Sequence, residues 1–203
     1  MLVNMIGMRS MVVGYNHQFG RNREGSFEKL MELSKVYDFE VEEIPPQDID
    51  EVAISSTKIR KALLEGDVVK ANMFLGYDYL INGKVVPGSQ QGRSIDYPTA
   101  NVAVSSTDKL IPADGVYAAR VTVNDQTLMG MVNIGMRPTV QGKDRTVEVH
   151  IIDFDSNIYD LNITLHLVER IRDEKKFDDL EALRKQLDID RNKITQILEK
   201  SAR

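Results

Sequence analysis

Thr99 and Asn101 stand two apart in Pro98-Thr99-Ala100-Asn101. In an extended segment that spacing turns both side chains to one face. A hydroxyl and a carboxamide oxygen side by side are hard donors of the kind Mg²⁺ accepts, with water and phosphate oxygens completing its shell. A capped strand start would read the same way. Upstream, Gly88-Ser89-Gln90-Gln91-Gly92-Arg93 places two glycines in a polar loop, where backbone N–H groups can approach an anion and Arg93 can pair with phosphate. The glycine spacing fits neither the P-loop nor the dinucleotide fingerprint, so an ordinary surface turn stays open. Glu148 lies in Thr146-Val147-Glu148-Val149-His150-Ile151. If Val147, Val149 and Ile151 face a core, Glu148 and His150 face the other side, and a carboxylate in a cleft there can act as a general base. A solvated strand glutamate is the plainer alternative. Arg172-Asp173-Glu174-Lys175-Lys176-Phe177-Asp178 is a charge run with one aromatic. It reads as a solvated loop ahead of a helix capped by Asp178, or as a flap whose Phe177 covers a flat aromatic ligand.

Composition narrows the classes. The chain has 203 residues, 42% hydrophobic and 28% charged, which suits a folded domain or two. With 26 Lys+Arg against 31 Asp+Glu the net charge is −5, which argues against nucleic acid as a partner and leaves small anionic ligands. The absence of cysteine excludes disulfides, thiolate-bound zinc and thiolate nucleophiles. His17, His150 and His166 are too scattered for a histidine-built metal centre. No apolar run is long enough to span a membrane, and the opening residues lack a signal-peptide pattern, so a cytoplasmic protein without a membrane partner is expected.

The elements that would position these residues change character along the chain. Residues 1–76 alternate strand and helix. Met11–Gly14 reads as a buried strand, 24–37 as a helix with Phe27, Leu30, Leu33 and Val36 on one face, and 39–44 as a strand stopped by Pro45-Pro46. Ser55-Ser56-Thr57 reads as a helix start, and a short helix follows Gly66-Asp67. Residues 77–175 hold β-branched runs at 79–86, 115–123, 127–133, 146–152 and 162–168, with a turn at Asn124-Asp125. Five or six strands without intervening helices predict an antiparallel barrel or sandwich. Helical spacing returns from Asp178. The expected fold is α+β: a small antiparallel β-barrel with C-terminal helices over 77–203, preceded by an incomplete α/β piece over 1–76.

Taken in order, Gly88-x-x-x-Gly92-Arg93, Pro98-Thr99-Ala100-Asn101, Pro112-Ala113-Asp114-Gly115-Val116-Tyr117, Asn133-Ile134-Gly135-Met136-Arg137-Pro138-Thr139, Glu148-Val149-His150 and Arg172–Asp178 resemble a family. It is the riboflavin kinase module of bacterial bifunctional riboflavin kinase/FAD synthetases, over about 77–200. Residues 1–76 resemble the later part of its FMN adenylyltransferase module. There Val13-Gly14-Tyr15-Asn16-His17 looks like a strand end, and Ile54-Ser55-Ser56-Thr57-Lys58-Ile59-Arg60 looks like the nucleotide-binding motif.

The resemblance implies ATP:riboflavin 5′-phosphotransfer, with ATP and riboflavin as substrates and ADP and FMN as products. It implies Thr99 and Asn101 as Mg²⁺ ligands, Gly88, Gly92, Arg93 and Pro98 at ATP, Glu148 as base, and Arg172, Glu174 and Phe177 at the flavin. Asn16, Ser55, Ser56, Thr57 and Arg60 would be a remnant adenylyltransferase nucleotide site. The family's opening strand and phosphate motif have no counterpart in this sequence, so adenylyl transfer is expected to be absent. The unpartnered first 76 residues are expected to self-associate through Met11–Val13 and the 27–36 helix. Three positions depart from the family: Gln90 for a glycine in the phosphate loop, Asp96 for a glycine ahead of Tyr97, and Asn16 for an aspartate. Asp96 would weaken ATP binding by its charge, and tolerates positive φ better than most residues. Retained FMN adenylyltransfer and a non-catalytic flavin- or nucleotide-binding barrel are the alternatives.

Overall fold

The computed structural model describes residues 2–15, 18–20, 22, 24–45, 48–49, 52–88, 92, 95–139 and 142–201. They form two compact units, 1–54 and 55–203.

The first unit opens with α1 (Leu2–Ile6). Strand β1 (Ser10–Gly14) pairs in parallel with β2 (Glu40–Ile44), and α2 (Phe27–Tyr37) lies between them in sequence. Parallel neighbours need such a crossover. The helix starts later than its spacing suggests. Gly25 is bridged to Phe19, and only then does the Ser26 hydroxyl accept from Lys29 N to cap the first turn. Asp38 ends it in a left-handed conformation at φ 54°. Val13 and Leu30 are buried, while Val12 and Val36 are exposed. The expectation of exposed apolar surface at Met11–Val13 and on the 27–36 helix is thus corrected at Val13 and Leu30, which are buried, and holds at Val12 and Val36. A two-residue pair, β3 (Asp48–Ile49) and β4 (Val52–Ala53), closes the unit.

The second unit begins with α3 (Ser56–Glu65) and α4 (Val68–Leu75). Sequence texture groups these helices with the first 76 residues, but they lie in the barrel's unit. Ala62, Leu63, Val68 and Ala71 are at most 3% exposed and join the barrel core. The barrel follows: β5 (Tyr79–Val86), β6 (Ala100–Val104), β7 (Gly115–Val123), β8 (Gln126–Thr139), β9 (Gly142–Ile151) and β10 (Asn162–Arg172). They close in the order β10-β5-β6-β9-β8-β7, every pair antiparallel. Closure removes exposed edges and turns alternate side chains inward, Ile81, Val121, Val132, Val149 and Leu165 among them. Strand β6 is the short member and reaches β9 through only Ala100↔Val149 and Asn101↔Glu148.

One helix ends the unit, α5 (Leu180–Lys200), where helices in the plural were expected. Neither glycine nor proline interrupts those 21 residues, so the helix runs through. Its cap is Asp179, which accepts from Ala182 N at 2.7 Å, rather than the neighbouring Asp178. Ile194 and Leu198 pack with Val116, Ala118 and Met131 on the outside of the barrel, which is why β7 is buried on both faces. No helix among the described residues is long and apolar enough to cross a membrane.

Candidate active site

The β6–β9 junction brings the sequence-predicted residues together. Asn101 lies opposite Glu148 in the ladder, and the Thr99 hydroxyl donates to Glu148 Oε2 at 3.3 Å. The extended backbone that puts Thr99 and Asn101 on one face thus also puts that face beside the carboxylate. Gly88 packs against the same place. A Cβ added there would stand 1.8 Å from Asn101 Nδ2, so the bare backbone is what admits the amide. The loop before Thr99 closes on itself where Tyr97 N donates to Gly92 O at 2.9 Å. Arg93 and Gln90 lie outside the described residues, as do Asn16 and His17 in the first unit.

Thr99 borders two cavities. One, about 590 Å³, is lined by Asp96, Ala100 and Phe154, and by the polar turn Asp155-Ser156-Asn157. The other, about 400 Å³, is lined by Met131, Glu148, Arg172, Phe177, Leu183 and Leu187, among others. Pro98 lines the first, Gly92 and Glu174 line the second, and Thr99 lines both. The Asp155–Asn157 turn escaped the sequence reading, because Asp, Ser and Asn are what any turn carries. The apolar side of the second cavity comes from α5, whose spacing showed a buried stripe without showing what it faced.

The flap residues 173–179 have neither helix nor strand. They are fixed by side chains. Arg170 pairs with Asp173 at 2.8 Å, and Arg172 and Lys175 approach the Phe177 ring at 5.8 and 5.6 Å. The Glu174 carboxylate sits over Gly135, where a Cβ would come within 2.1 Å of its Oε1.

Behind Glu148, His150 is buried on the same strand face and stacks, tilted by 55°, 4.9 Å from the Tyr97 ring. Its Nδ1 donates to the Pro98 carbonyl at 2.8 Å, since a carbonyl can only accept. Burial holds its pKa below the usual histidine value. The Tyr97 hydroxyl donates to Asp188 at 2.5 Å, and desolvation, then that carboxylate, pushes its pKa up to about 12. Asp96 takes φ 64°, the left-handed backbone that the family's glycine would meet at no cost, and its carboxylate pairs with Arg184 at 3.3 Å.

The donor set fits a divalent metal brought by a phosphate ligand. Thr99 and Asn101 offer neutral oxygens, and the described residues hold no cluster of three or more His, Asp or Glu able to bind an ion alone. Ser55, Ser56, Thr57 and Arg60 sit apart from this site on the first turns of α3. There Ser55 is the N-cap, accepting from Lys58 N at 3.4 Å, and Arg60 is exposed.

Comparison with known proteins follows this geometry. The riboflavin kinase family model matches residues 75–198, and the FAD synthetase model matches 1–58. The bifunctional riboflavin kinase/FMN adenylyltransferase of Haemophilus influenzae is 36% identical over 190 residues, covering 93% of this chain and 61% of that protein. Its namesake from Listeria monocytogenes is 39% identical over 182 residues, covering 88% and 57%. A Streptococcus pneumoniae crystal structure described as a macrolide-efflux protein superimposes with a TM-score of 0.79 at 36% identity, covering 88% of this chain and 57% of that one. The chain therefore spans about three fifths of the length of these relatives.

Proposed function

The chain belongs to the riboflavin kinase family, and on that premise we propose that its barrel unit transfers the γ-phosphoryl group of ATP to the 5′-hydroxyl of riboflavin, giving ADP and FMN. The observation that carries the reading is Thr99, which borders both cavities and donates to Glu148. The cavity beside Asp155-Ser156-Asn157 suits a nucleoside. The narrower one, walled by Met131, Leu183, Leu187 and Phe177, suits a flat tricyclic ring. A γ-phosphate between them meets a hydroxyl from one side and its own nucleotide from the other.

Phosphoryl transfer asks mainly for alignment and charge neutralisation. Glu148 takes the proton of the 5′-hydroxyl as its oxygen bonds to phosphorus, and the bond to the β-phosphate oxygen breaks with its electron pair leaving on ADP. Thr99 and Asn101 hold Mg²⁺, which when bound offsets the phosphate charge. Gly88 and Pro98 shape the phosphate side, and Gly92 and Arg93 are assigned to ATP with them on the family resemblance. Glu174 and Phe177 close over the flavin, and Arg172 anchors that flap. Residues 1–58, similar to FAD synthetase, are the adenylyltransferase-like part of the chain.

The test is FMN formation from riboflavin, ATP and Mg²⁺, with the Glu148→Ala variant beside the parent chain. The variant should lose turnover by about 10²- to 10⁴-fold, the usual worth of a general base, and keep riboflavin binding. Turnover unchanged in that variant removes Glu148 from the role. Binding of both substrates by the parent chain without turnover would favour the non-catalytic barrel. FAD formed from FMN and ATP would report on the segment similar to FAD synthetase.

A further inference from the structure

One turn of α5 grips both loops that meet at Thr99. Asp188 accepts the Tyr97 hydroxyl at 2.5 Å, and Tyr97 leads directly into Pro98-Thr99, whose Pro98 carbonyl is held from behind by His150. Two residues further on, Asp190 is only 2% exposed. Its Oδ2 accepts from Arg172 Nε at 2.8 Å and stands 2.8 Å from Nη2 in an ion pair, and its Oδ1 accepts from Gln186 Nε2 at 2.9 Å. Arg172 Nη1 donates to the Asp173 carbonyl at 2.9 Å. Nε and Nη1 therefore donate within the protein, Nη2 lies in the ion pair, and the guanidinium plane is held on both sides. Arg172, which also lines the smaller cavity, thereby fixes the direction in which the flap leaves β10.

We propose that Asp188 and Asp190 are positioning residues with separate tasks. Asp188, through Tyr97, sets the Thr99–Asn101 segment and with it the affinity for the metal–nucleotide pair. Asp190, through Arg172, sets the flap and with it the affinity for the flavin. The inference rests on the phosphotransferase reading for which substrate lies on which side. Its physical basis is the cost of leaving a half-buried guanidinium or a buried hydroxyl without its charged partner. A merely structural role is the competing account. In that account the two acids only fasten α5, which Ile194 and Leu198 already bury, and losing either would disturb both substrates alike.

The experiment uses the full chain with Asp188→Asn, Asp190→Asn, Tyr97→Phe and Arg172→Lys. Riboflavin Kd is read from quenching of the flavin's own fluorescence, and nucleotide affinity from KM for ATP–Mg²⁺ and Kd for ADP–Mg²⁺. Asp190→Asn and Arg172→Lys should weaken riboflavin about ten-fold and move the nucleotide constants less than about two-fold. Asp188→Asn and Tyr97→Phe should do the reverse, and the Asp188→Asn/Tyr97→Phe pair should be no worse than either alone. A ten-fold change is what one charge-assisted hydrogen bond is worth. Equal shifts in both constants, or none, overturn the proposal. Should an aspartate variant not fold, Tyr97→Phe and Arg172→Lys decide the same two arms. If the parent chain binds both ligands yet makes no FMN, the functional reading fails, while the crossed pattern in Kd still decides this inference.

Discussion

Replacing Gly88 with alanine should separate catalysis from stability. Gly88 is not in the left-handed region, so its backbone accepts a side chain. The new methyl would stand 1.8 Å from Asn101 Nδ2, where ordinary contact begins at 3.4 Å. The amide must therefore retreat by about 1.6 Å, the difference between those distances. That amide ends a short, partly exposed side chain and can rotate away at a cost of about 0.5–1.5 kcal/mol. The proposed metal ligand, however, has left its place, and about 1 Å of misplacement costs on the order of 10²-fold in rate. We expect kcat/KM for ATP–Mg²⁺ to fall about 100-fold, close to 2.7 kcal/mol of transition-state stabilisation. The melting temperature should fall by only a few degrees. Steady-state FMN formation at varied ATP–Mg²⁺, with calorimetric melting in parallel, reads both. Adding Asn101→Ala to the variant should cost little more, because the ligand is already displaced. Parent-like kcat/KM, or full additivity of the two substitutions, would refute the placement of Asn101 at the metal.

Gly135→Ala would press on the Glu174 carboxylate, 2.1 Å from the new Cβ, and should weaken riboflavin several-fold through the flap with little change in melting. Asp96→Asn keeps a side chain that tolerates φ 64° and removes an exposed charge beside the larger cavity. KM for ATP should fall about two-fold at low salt and show no difference in 0.5 M salt, roughly where the Debye length is under 5 Å. His150 should make stability pH-dependent. Its folded pKa is depressed by burial, so from about pH 6.5 downward to that depressed value the unfolded chain binds more protons and stability falls. Melting temperatures across pH 5 to 8 should decline toward acid, and the His150→Gln variant should lose that part of the slope; an unchanged slope would show that His150 does not supply it.

The barrel was legible because closure imposes alternation. Val147, Val149 and Ile151 point inward and Glu148 and His150 outward, as period two requires. Strand β6 was seen only as an extended segment, since its five residues owe their place to two rungs with β9 that no local pattern encodes. Asp178 and Asp179 are equal candidates for a cap by type, and the geometry of the first turn chose the second. The helices α3 and α4 read as part of the first stretch because their sequence is helical like it. Only the burial of Leu63 and Ala71 in the barrel core assigns them to the second unit. Asp190 was the missed residue with a usable signal. It falls on the stripe Leu187, Asp190, Ile194, Leu198, and an acid on an apolar stripe asks for a cation opposite.

If Thr99 and Asn101 hold the metal as proposed, their neutral chemistry follows from the charge around them. The larger cavity carries Asp155 and Asp96, the latter paired with Arg184, and Glu148 stands at the junction with the smaller one, which Glu174 and Lys175 also line. Arg172, at the flap, is ion-paired with the buried Asp190. A triphosphate entering this surface meets more negative than uncommitted positive charge among the described residues, as the chain's net charge of −5 would suggest. Carboxylate ligands would offset part of the ion's charge before the phosphates meet it. Neutral ligands, a hydroxyl and an amide, leave the full double charge facing the nucleotide. They would also leave Glu148, at the junction, to receive a proton instead of satisfying an ion, as the proposed mechanism asks. On the proposed reading, Thr99 and Asn101 in place of two acids would let an acidic barrel take the metal–triphosphate pair, and Glu148 would keep a separate task because they are uncharged.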